Sequence, residues 1–405
     1  MVNIAVLGYG TVGSGVVEVI NTNLESINKK AGRAINIKYV LDLRDFPGDP
    51  VEEILVHDYD IILNDPEVRI VVEVMGGVEP AYTFVKQALL AGKSVCTSNK
   101  ELVAKHGPEL NEIARMNHIN FLYEASVGGG IPIIRPLNTS LTADEIIEIT
   151  AILNGTTNYI LTKMTQEGLS FDEALKNAQS LGYAERNPEA DIEGYDACRK
   201  IAILSSMAYG NHVDFEDIYT EGISKITPED IEYAKKLNYA IKLLASANRD
   251  GDKFYAMVAP FLVPVTHPLY PVNDVFNAIF VKGNVLGDVM FYGSGAGKLP
   301  TASAVVSDVV DAVKHLHCNI MTFWSSKKLE LTHVNKDQRN FFVRVSGNLS
   351  DREEEINSLF GKVKFVQVDN LKNEFGFITE KMSEEDFDKK SASLEGFISR
   401  IRMKD

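Results

Sequence analysis

The run Ala178 to Lys200, AQSLGYAERNPEADIEGYDACRK, gathers the side chains of this chain best suited to chemistry. Glu185, Glu189, Asp191, Glu193, Asp196, Arg199 and Lys200 fall around two turn-forming pairs, Gly182-Tyr183 and Asn187-Pro188. The proline ring disfavours helix in the residue before it, so Asn187 begins an extended or turned segment. Helix can resume near Gly194, because Tyr195 to Gly210 carries apolar residues at helical spacing. Asp196 and Lys200 then share one helix face, with Cβ atoms about 5–6 Å apart. Glu185 and Asp191 arrive from the loop before that helix. Carboxylates and an ammonium converging on a small space suit a small molecule that carries its own amine, carboxylate or carbonyl. The same charges also fit a solvated acidic loop with one i,i+4 salt bridge.

The N-terminal stretch supplies a second kind of site. Val2 to Leu7 reads as a buried strand and runs directly into Gly8-Tyr9-Gly10-Thr11-Val12-Gly13. Val12, Val16, Val19, Ile20, Leu24 and Ile27 then recur at helical spacing. Strand, glycine turn and amphipathic helix are the context that a dinucleotide-binding GxGxxG requires. Gly8 makes the tight turn, Gly10 lets backbone approach a pyrophosphate, and Gly13 lets the helix pack on the strand. The N–H groups of the first helical turn, around Thr11 and Val12, hold the phosphates. The second strand, Ile35 to Leu43, ends in Asp42-Leu43-Arg44-Asp45. An acid there binds the adenosine ribose of NAD, and an arginine pairs with the 2′-phosphate of NADP. Both residue types are present, and the reading leans to NADP through Arg44.

Strands are expected at Ile61 to Leu63, Ile70 to Val74 and Ser94 to Cys96, with helices at Ala81–Ala91 and Pro108–Asn117. Alternation of this kind predicts a parallel sheet with right-handed crossovers, whose ligands sit beyond the carboxyl ends of the strands. Lys100 follows one such end and either reaches the nicotinamide or substrate, or points to water. Phe121-Leu122-Tyr123 is a further strand, leading into Glu124 and the triplet Gly128-Gly129-Gly130. Backbone carbonyls freed by the glycines, with the Glu124 carboxylate, can ligate a hard cation. The same run also fits a hinge between domains.

The middle of the chain is mixed α+β. Strands are expected at 146–153, 254–265, 277–283 and 289–293, and helices at 159–168, 171–181, 197–210 and 228–247. Asn154-Gly155-Thr156-Thr157-Asn158 starts the first of these helices, with a threonine or asparagine cap. Gly293 to Thr301 is a second glycine-rich loop ahead of a strongly helical segment, 302–316, and either holds an anion or merely connects. After a polar linker, Lys327 to Arg339, the tail reads as strand 341–345, helix 352–360, strands 363–368 and 376–379, and helix 392–403. That βαββα unit is a regulatory or oligomerisation module. The expected fold is therefore α/β: a Rossmann-type doubly wound parallel sheet, a mixed α+β catalytic and dimerisation domain, and a small C-terminal module. The boundaries fall at 1–135 (with 300–325 returning to it), 136–299 and 340–405.

Composition narrows the partners. The chain of 405 residues carries a net charge of −15, which argues against nucleic acid or an acidic membrane surface as a partner. Cys96, Cys198 and Cys318 lack metal-ligand spacing and point to a reducing compartment, the cytoplasm. No basic leader and no apolar run of membrane-spanning length are evident.

The opening stretch resembles the signature of homoserine dehydrogenases at Ala178, Gly182, Tyr183, Ala184, Asn187, Pro188, Asp191, Ile192, Gly194, Asp196 and Lys200. The resemblance extends over GYGTVG, EVMGG, TSNKE, EASVGGGIP, LNGTTNYIL and GAGKLPTASAV, roughly residues 1 to 320. It implies reversible reduction of L-aspartate 4-semialdehyde to L-homoserine with NADP or NAD, in threonine, methionine and isoleucine biosynthesis. It implies that Lys200 is the acid/base and Lys100 a second lysine at the substrate and cofactor. Glu185, Asp191 and Asp196 become substrate-binding carboxylates. Glu124, with the carbonyls of Val127, Gly129 and Ile131, becomes a monovalent-cation site, sodium being expected. Gly182, Gly295 and Gly297 become cofactor contacts beyond Gly8, Gly10, Thr11, Val12, Gly13 and Arg44. A homo-oligomer, dimer or tetramer, and an ACT-like tail are also implied. In the tail, Gly347-Asn348-Leu349-Ser350-Asp351 stands where ACT domains usually carry Asp-x-Pro-Gly.

Overall fold

Six parallel strands form the first sheet: β1 (Val2–Leu7), β2 (Ile35–Leu41), β3 (Leu55–Val56), β4 (Val68–Glu73), β5 (Ser94–Thr97) and β6 (Phe121–Leu122). The structure, a computed structural model, describes residues 1–405. The strand order is β3-β2-β1-β4-β5-β6, and every neighbouring pair is parallel. This is the doubly wound arrangement, whose order reverses beside β1 and opens a crevice at the carboxyl ends of β1 and β4. The near-continuous apolar runs of β1 and β4 fit strands covered on both faces.

Helix α1 (Thr11–Thr22) leaves the glycine turn and packs against the helix Lys298–Lys314, which returns from far along the chain. The two meet at Gly15, where a Cβ would lie 2.8 Å from the Lys298 carbonyl oxygen. Val305, Val306, Val309, Ala312 and Val313 of the returning helix share one core with Val2, Ile4, Val6, Val16 and Ile20.

The second sheet has ten strands. Its first part joins Gly287–Ser294, Phe276–Gly283, Ile146–Ile152, Tyr239–Asp250 and Lys253–Pro264 in antiparallel fashion. Phe397–Met403, the last strand of the chain, then adds parallel to Lys253–Pro264 and carries the sheet into the tail. Phe341–Ser346, Glu374–Ile378 and Lys364–Val366 follow in antiparallel pairing. With the helices Leu349–Phe360 and Glu384–Ser391 on the chain path, the tail's main elements run βαββαβ.

Several expected elements need correction. Residues 61–63 belong to a short helix, Tyr59–Leu63, capped by Asp58, and the strand at that edge is β3. The helix expected from Pro108 begins at Lys100 and runs through the proline to Met116, because Asn99 caps it earlier. The expected helix 228–247 stops at Leu237, where Asn238 takes a left-handed conformation, and Tyr239–Asp250 is a strand. A short apolar run does not distinguish a buried strand from a buried helix. For the same reason the final helix expected at 392–403 is the strand Phe397–Met403, and the helix of that region is Glu384–Ser391.

Buried charges bolt the tail to the middle of the molecule. Arg402 is 1% exposed and pairs with Glu384 at 2.5 Å and with Glu221 at 2.6 Å. Arg344 is 3% exposed and pairs with Asp230 at 2.8 Å and Glu374 at 2.9 Å. Removing one member of such a pair leaves the other ion buried and unmatched. Glu384→Ala is therefore expected to cost about 3–5 kcal/mol in urea or thermal unfolding. At the next residue, Glu385→Ala, which breaks an exposed i,i+4 pair with Lys389, is expected to leave the midpoint unchanged.

Candidate active site

Asp196 sits in the first turn of the helix Tyr195–Tyr209 and is 5% exposed. Its two carboxylate oxygens face two lysines. Oδ1 lies 2.8 Å from Lys100 Nζ, and Oδ2 lies 2.8 Å from Lys200 Nζ. Lys200 stands one turn further along the same helix, and Lys100 opens the helix Lys100–Met116 at the carboxyl end of β5. The cluster thus joins the two sheets. Lys200 Nζ also donates to the Leu153 carbonyl oxygen at 2.8 Å. Burial by itself would raise the Asp196 carboxyl pKa, but Lys200 and Lys100 overcome that and hold it well below the usual carboxylate range. Burial likewise works against the charge on Lys100, and the attraction of Asp196 outweighs it and raises the lysine.

Asn154 completes the arrangement. Its Oδ1 accepts from Thr157 N at 2.9 Å and so caps the helix Gly155–Glu167. Its Nδ2 donates to Asp191 Oδ1 at 2.7 Å and Asp196 Oδ2 at 2.9 Å. Asp191, in the helical turn Glu189–Ile192 after Pro188, is half-buried, and that burial raises its pKa. Lys100, Lys200, Asp191 and Asp196 are therefore brought together. Glu185 is not: it is exposed, and its side chain makes no ion pair or hydrogen bond. Gly182 closes the helix Phe171–Ser180 in a left-handed conformation with open space around it.

A cleft of about 510 Å³ opens at the end of the first sheet, lined by Gly8, Gly10, Asp42, Arg44, Met75 and Gly76 among others. Gly13 is held to glycine by contact, since a Cβ there would meet the Gly8 carbonyl oxygen at 1.9 Å. No side chain caps α1, so the first N–H groups of Thr11, Val12 and Gly13 remain free for an anion. The turn, the free helix start and the acid at the end of β2 together fit a dinucleotide.

Glu124 is buried, and its carboxylate accepts from the backbone N–H groups of Ile133 at 2.6 Å, Ile134 at 2.8 Å and Arg135 at 2.8 Å. No turn or loop backbone hydrogen bond ends on the carbonyl oxygens of Val127, Gly129 or Ile131. The loop carrying Gly295 and Gly297 packs on the same segment. A Cβ on Gly129 would lie 2.3 Å from the Gly295 carbonyl oxygen, and Gly130 N donates to Ser294 O at 3.1 Å.

Two family models match the chain. "Homoserine dehydrogenase, NAD binding domain" covers residues 8–124, and "Homoserine dehydrogenase" covers 132–310. A curated homoserine dehydrogenase of Bacillus subtilis strain 168 is 44% identical over 324 residues, which are 79% of this chain and 74% of that one. The chain belongs to the homoserine dehydrogenase family. Membership makes it an oxidoreductase with a nicotinamide-nucleotide domain. The crystal structure of a homoserine dehydrogenase from Thiobacillus denitrificans matches over 100% of this chain and 98% of that one, at 36% identity and a TM-score of 0.88. A hyperthermophilic archaeal homoserine dehydrogenase in complex with NADPH covers 77% of this chain and 97% of its own, at 31% identity and a TM-score of 0.66.

Two features escape a reading of the sequence. Asn154 is visible there as a helix cap, but its second role depends on a fold that brings it beside residues some forty positions on. Glu73, fully buried at the end of β4, accepts from Thr97 Oγ1 at 2.6 Å and Met75 N at 2.8 Å. Thr97 Oγ1 in turn accepts from Asn99 N at 2.9 Å, which fixes the start of the helix that bears Lys100. A charged residue closing an apolar strand is the only sequence signal of that support.

The depressed Asp196 pKa has a thermodynamic consequence. A carboxyl whose folded pKa is below its unfolded value adds stability that is fully present above the unfolded value and lost as pH falls through the folded one. Asp196→Asn is expected to lower the unfolding midpoint at pH 7, with the gap to the wild type narrowing as pH drops below about 4. Differential scanning fluorimetry across that range checks it.

Proposed function

We propose that the chain reversibly reduces L-aspartate 4-semialdehyde to L-homoserine with a nicotinamide nucleotide, and that Lys200 is the acid/base. The observation that carries this reading is a single buried carboxylate, Asp196, held between two ammonium groups at the junction of the two sheets. Lys200 spends one N–H on Asp196 and one on the Leu153 carbonyl. An ammonium has three donors, so one remains for a substrate oxygen. Negative charge gathers on the carbonyl oxygen as hydride reaches its carbon, and that N–H stabilises the charge and delivers the proton. In the reverse direction the neutral lysine takes the hydroxyl proton. Asp196 aims Lys200 through their 2.8 Å contact.

Lys100 retains donors beyond Asp196 and faces the substrate from the nucleotide side. Asp196 is matched already by the lysines, so the substrate's own ammonium falls to Asp191 and, with a shift of its exposed loop, to Glu185. The nucleotide supplies the hydride, held by Gly8, Gly10, Gly13 and the first turn of α1, with Gly182, Gly295 and Gly297 as further contacts. The three carbonyls of Val127, Gly129 and Ile131, with Glu124, support a monovalent-cation site, sodium being the natural occupant. Its effect is on the placement of the adjoining Gly295–Gly297 loop.

The domain reading follows: 1–135 with the returning helix for the nucleotide, 136–299 for catalysis and dimerisation, and 340–405 as an ACT-like regulatory module. The βαββαβ order of the tail supports the last of these. The biosynthetic role is in threonine, methionine and isoleucine formation, in the cytoplasm.

Homoserine oxidation, followed by the absorbance of reduced nicotinamide, tests the reaction. Lys200→Ala is expected to cut kcat by about 10²–10⁴-fold, while nucleotide binding measured by fluorescence stays near the wild-type value. Near-normal turnover by this variant would remove Lys200 from its role. Threonine added to the full-length protein is expected to slow turnover, and an unchanged rate at saturating threonine would deny the tail that effector.

A further inference from the structure

The nucleotide cleft holds one acid and one arginine that compete for the same end of the adenosine ribose, and the structure treats them differently. Asp42 directly follows β2, beside the glycine turn, and its side chain is 9% exposed. Its Oδ2 accepts from Tyr9 N at 2.8 Å, which ties the carboxylate to the turn that receives the nucleotide. Arg44 is the exposed partner, with a side chain 61% exposed. Its guanidinium lies on the acid: Nε donates to Asp42 Oδ1 and Nη2 to Asp42 Oδ2, each at 3.0 Å. The backbone N–H of Arg44 adds a third bond to Oδ1 at 3.0 Å. The expectation that Arg44 is free for a 2′-phosphate therefore meets a guanidinium already engaged.

Resting on the reading of the cleft as a nicotinamide-nucleotide site, we infer that Asp42 makes NAD the preferred nucleotide, with Arg44 as its displaceable counter-ion. A ribose hydroxyl donates to a carboxylate and can take the place of an exposed guanidinium N–H. A 2′-phosphate has no proton to offer. It must pull Arg44 away and then lie against the carboxylate left behind, a like-charge contact near a low-dielectric wall. The surroundings add to this. Residues 42–57 contain five acids, Asp42, Asp45, Asp49, Glu52 and Glu53, against the single arginine. His57 leans on Asp45 at 3.1 Å and, through Nδ1, on the Asp42 carbonyl oxygen at 2.7 Å. Tyr9 Oη donates to Asp49 at 3.2 Å. A phosphate dianion entering this field finds one cation, and that cation is shared.

Isothermal titration of the full-length protein with NAD and with NADP tests the inference apart from turnover, and kcat/KM for homoserine oxidation with each nucleotide runs beside it. The wild type is expected to favour NAD at least tenfold in both measurements. Asp42→Ala is expected to weaken NAD at least tenfold while tightening NADP, so that the preference reverses. The double variant Asp42→Ala/Arg44→Ala is expected to lose that gain for NADP. A wild type that binds NADP more tightly than NAD, or an Asp42→Ala variant that weakens both nucleotides equally, overturns the inference. The wild-type ratio decides it even if the variant does not fold. Turnover of homoserine with either nucleotide supports the proposed reaction whatever the ratio, and an NAD preference in titration without homoserine turnover supports Asp42 while denying the reaction.

Discussion

A carboxylate taken out of water has to be met by positive charge and N–H groups, and the way Asp196 is met governs the rest of this molecule. Its partners come from three separated parts of the chain: Lys100 from the end of a parallel strand, Asn154 from the end of an antiparallel one, and Lys200 from its own helix. No single element can supply them. The parallel sheet must deliver Lys100 at its carboxyl edge, and the mixed sheet must turn Leu153 and Asn154 toward the same point. Chemistry and architecture meet in one ion cluster whose members neutralise one another when nothing is bound.

The support for that cluster reaches outward by ordinary means. Glu73 and Thr97 fix the start of the helix that carries Lys100. On the opposite side, Ile223 N donates to the Ile192 carbonyl at 2.8 Å, and Gly222 packs so closely on Ile192 and Glu193 that a Cβ has no room. The residue before them, Glu221, is the one that Arg402 holds. A buried arginine at the end of the tail is thus linked through a few residues to the turn that bears Asp191. These contacts run without a gap from the tail to the loop that carries Asp191.

The legible part of the sequence was the part governed by local rules. Gly8, Gly10 and Gly13 announce the nucleotide turn because their spacing answers to steric needs within a dozen residues. Asp196 and Lys200 announce their contact because four residues make one helical turn. What stayed hidden depended on distant packing. Tyr239–Asp250 and Phe397–Met403 were expected as helix and are strands, since their apolar runs suit either state until a neighbouring strand selects one. Glu185 stands near the other carboxylates in sequence, yet its loop holds it in solvent. The position of Arg44 in the sequence suits a phosphate, and only the folded chain reveals the carboxylate it already occupies.

The helix Lys298–Lys314 lies against α1 and shares a core with the strands that begin the chain. During synthesis, the last strand of the first sheet, Phe121–Leu122, emerges long before the helix Lys298–Lys314, so one flank of the sheet stays bare until that helix follows. The core on that face is completed only when Val305, Val306 and Val309 arrive to cover Ile4, Val6 and Val16.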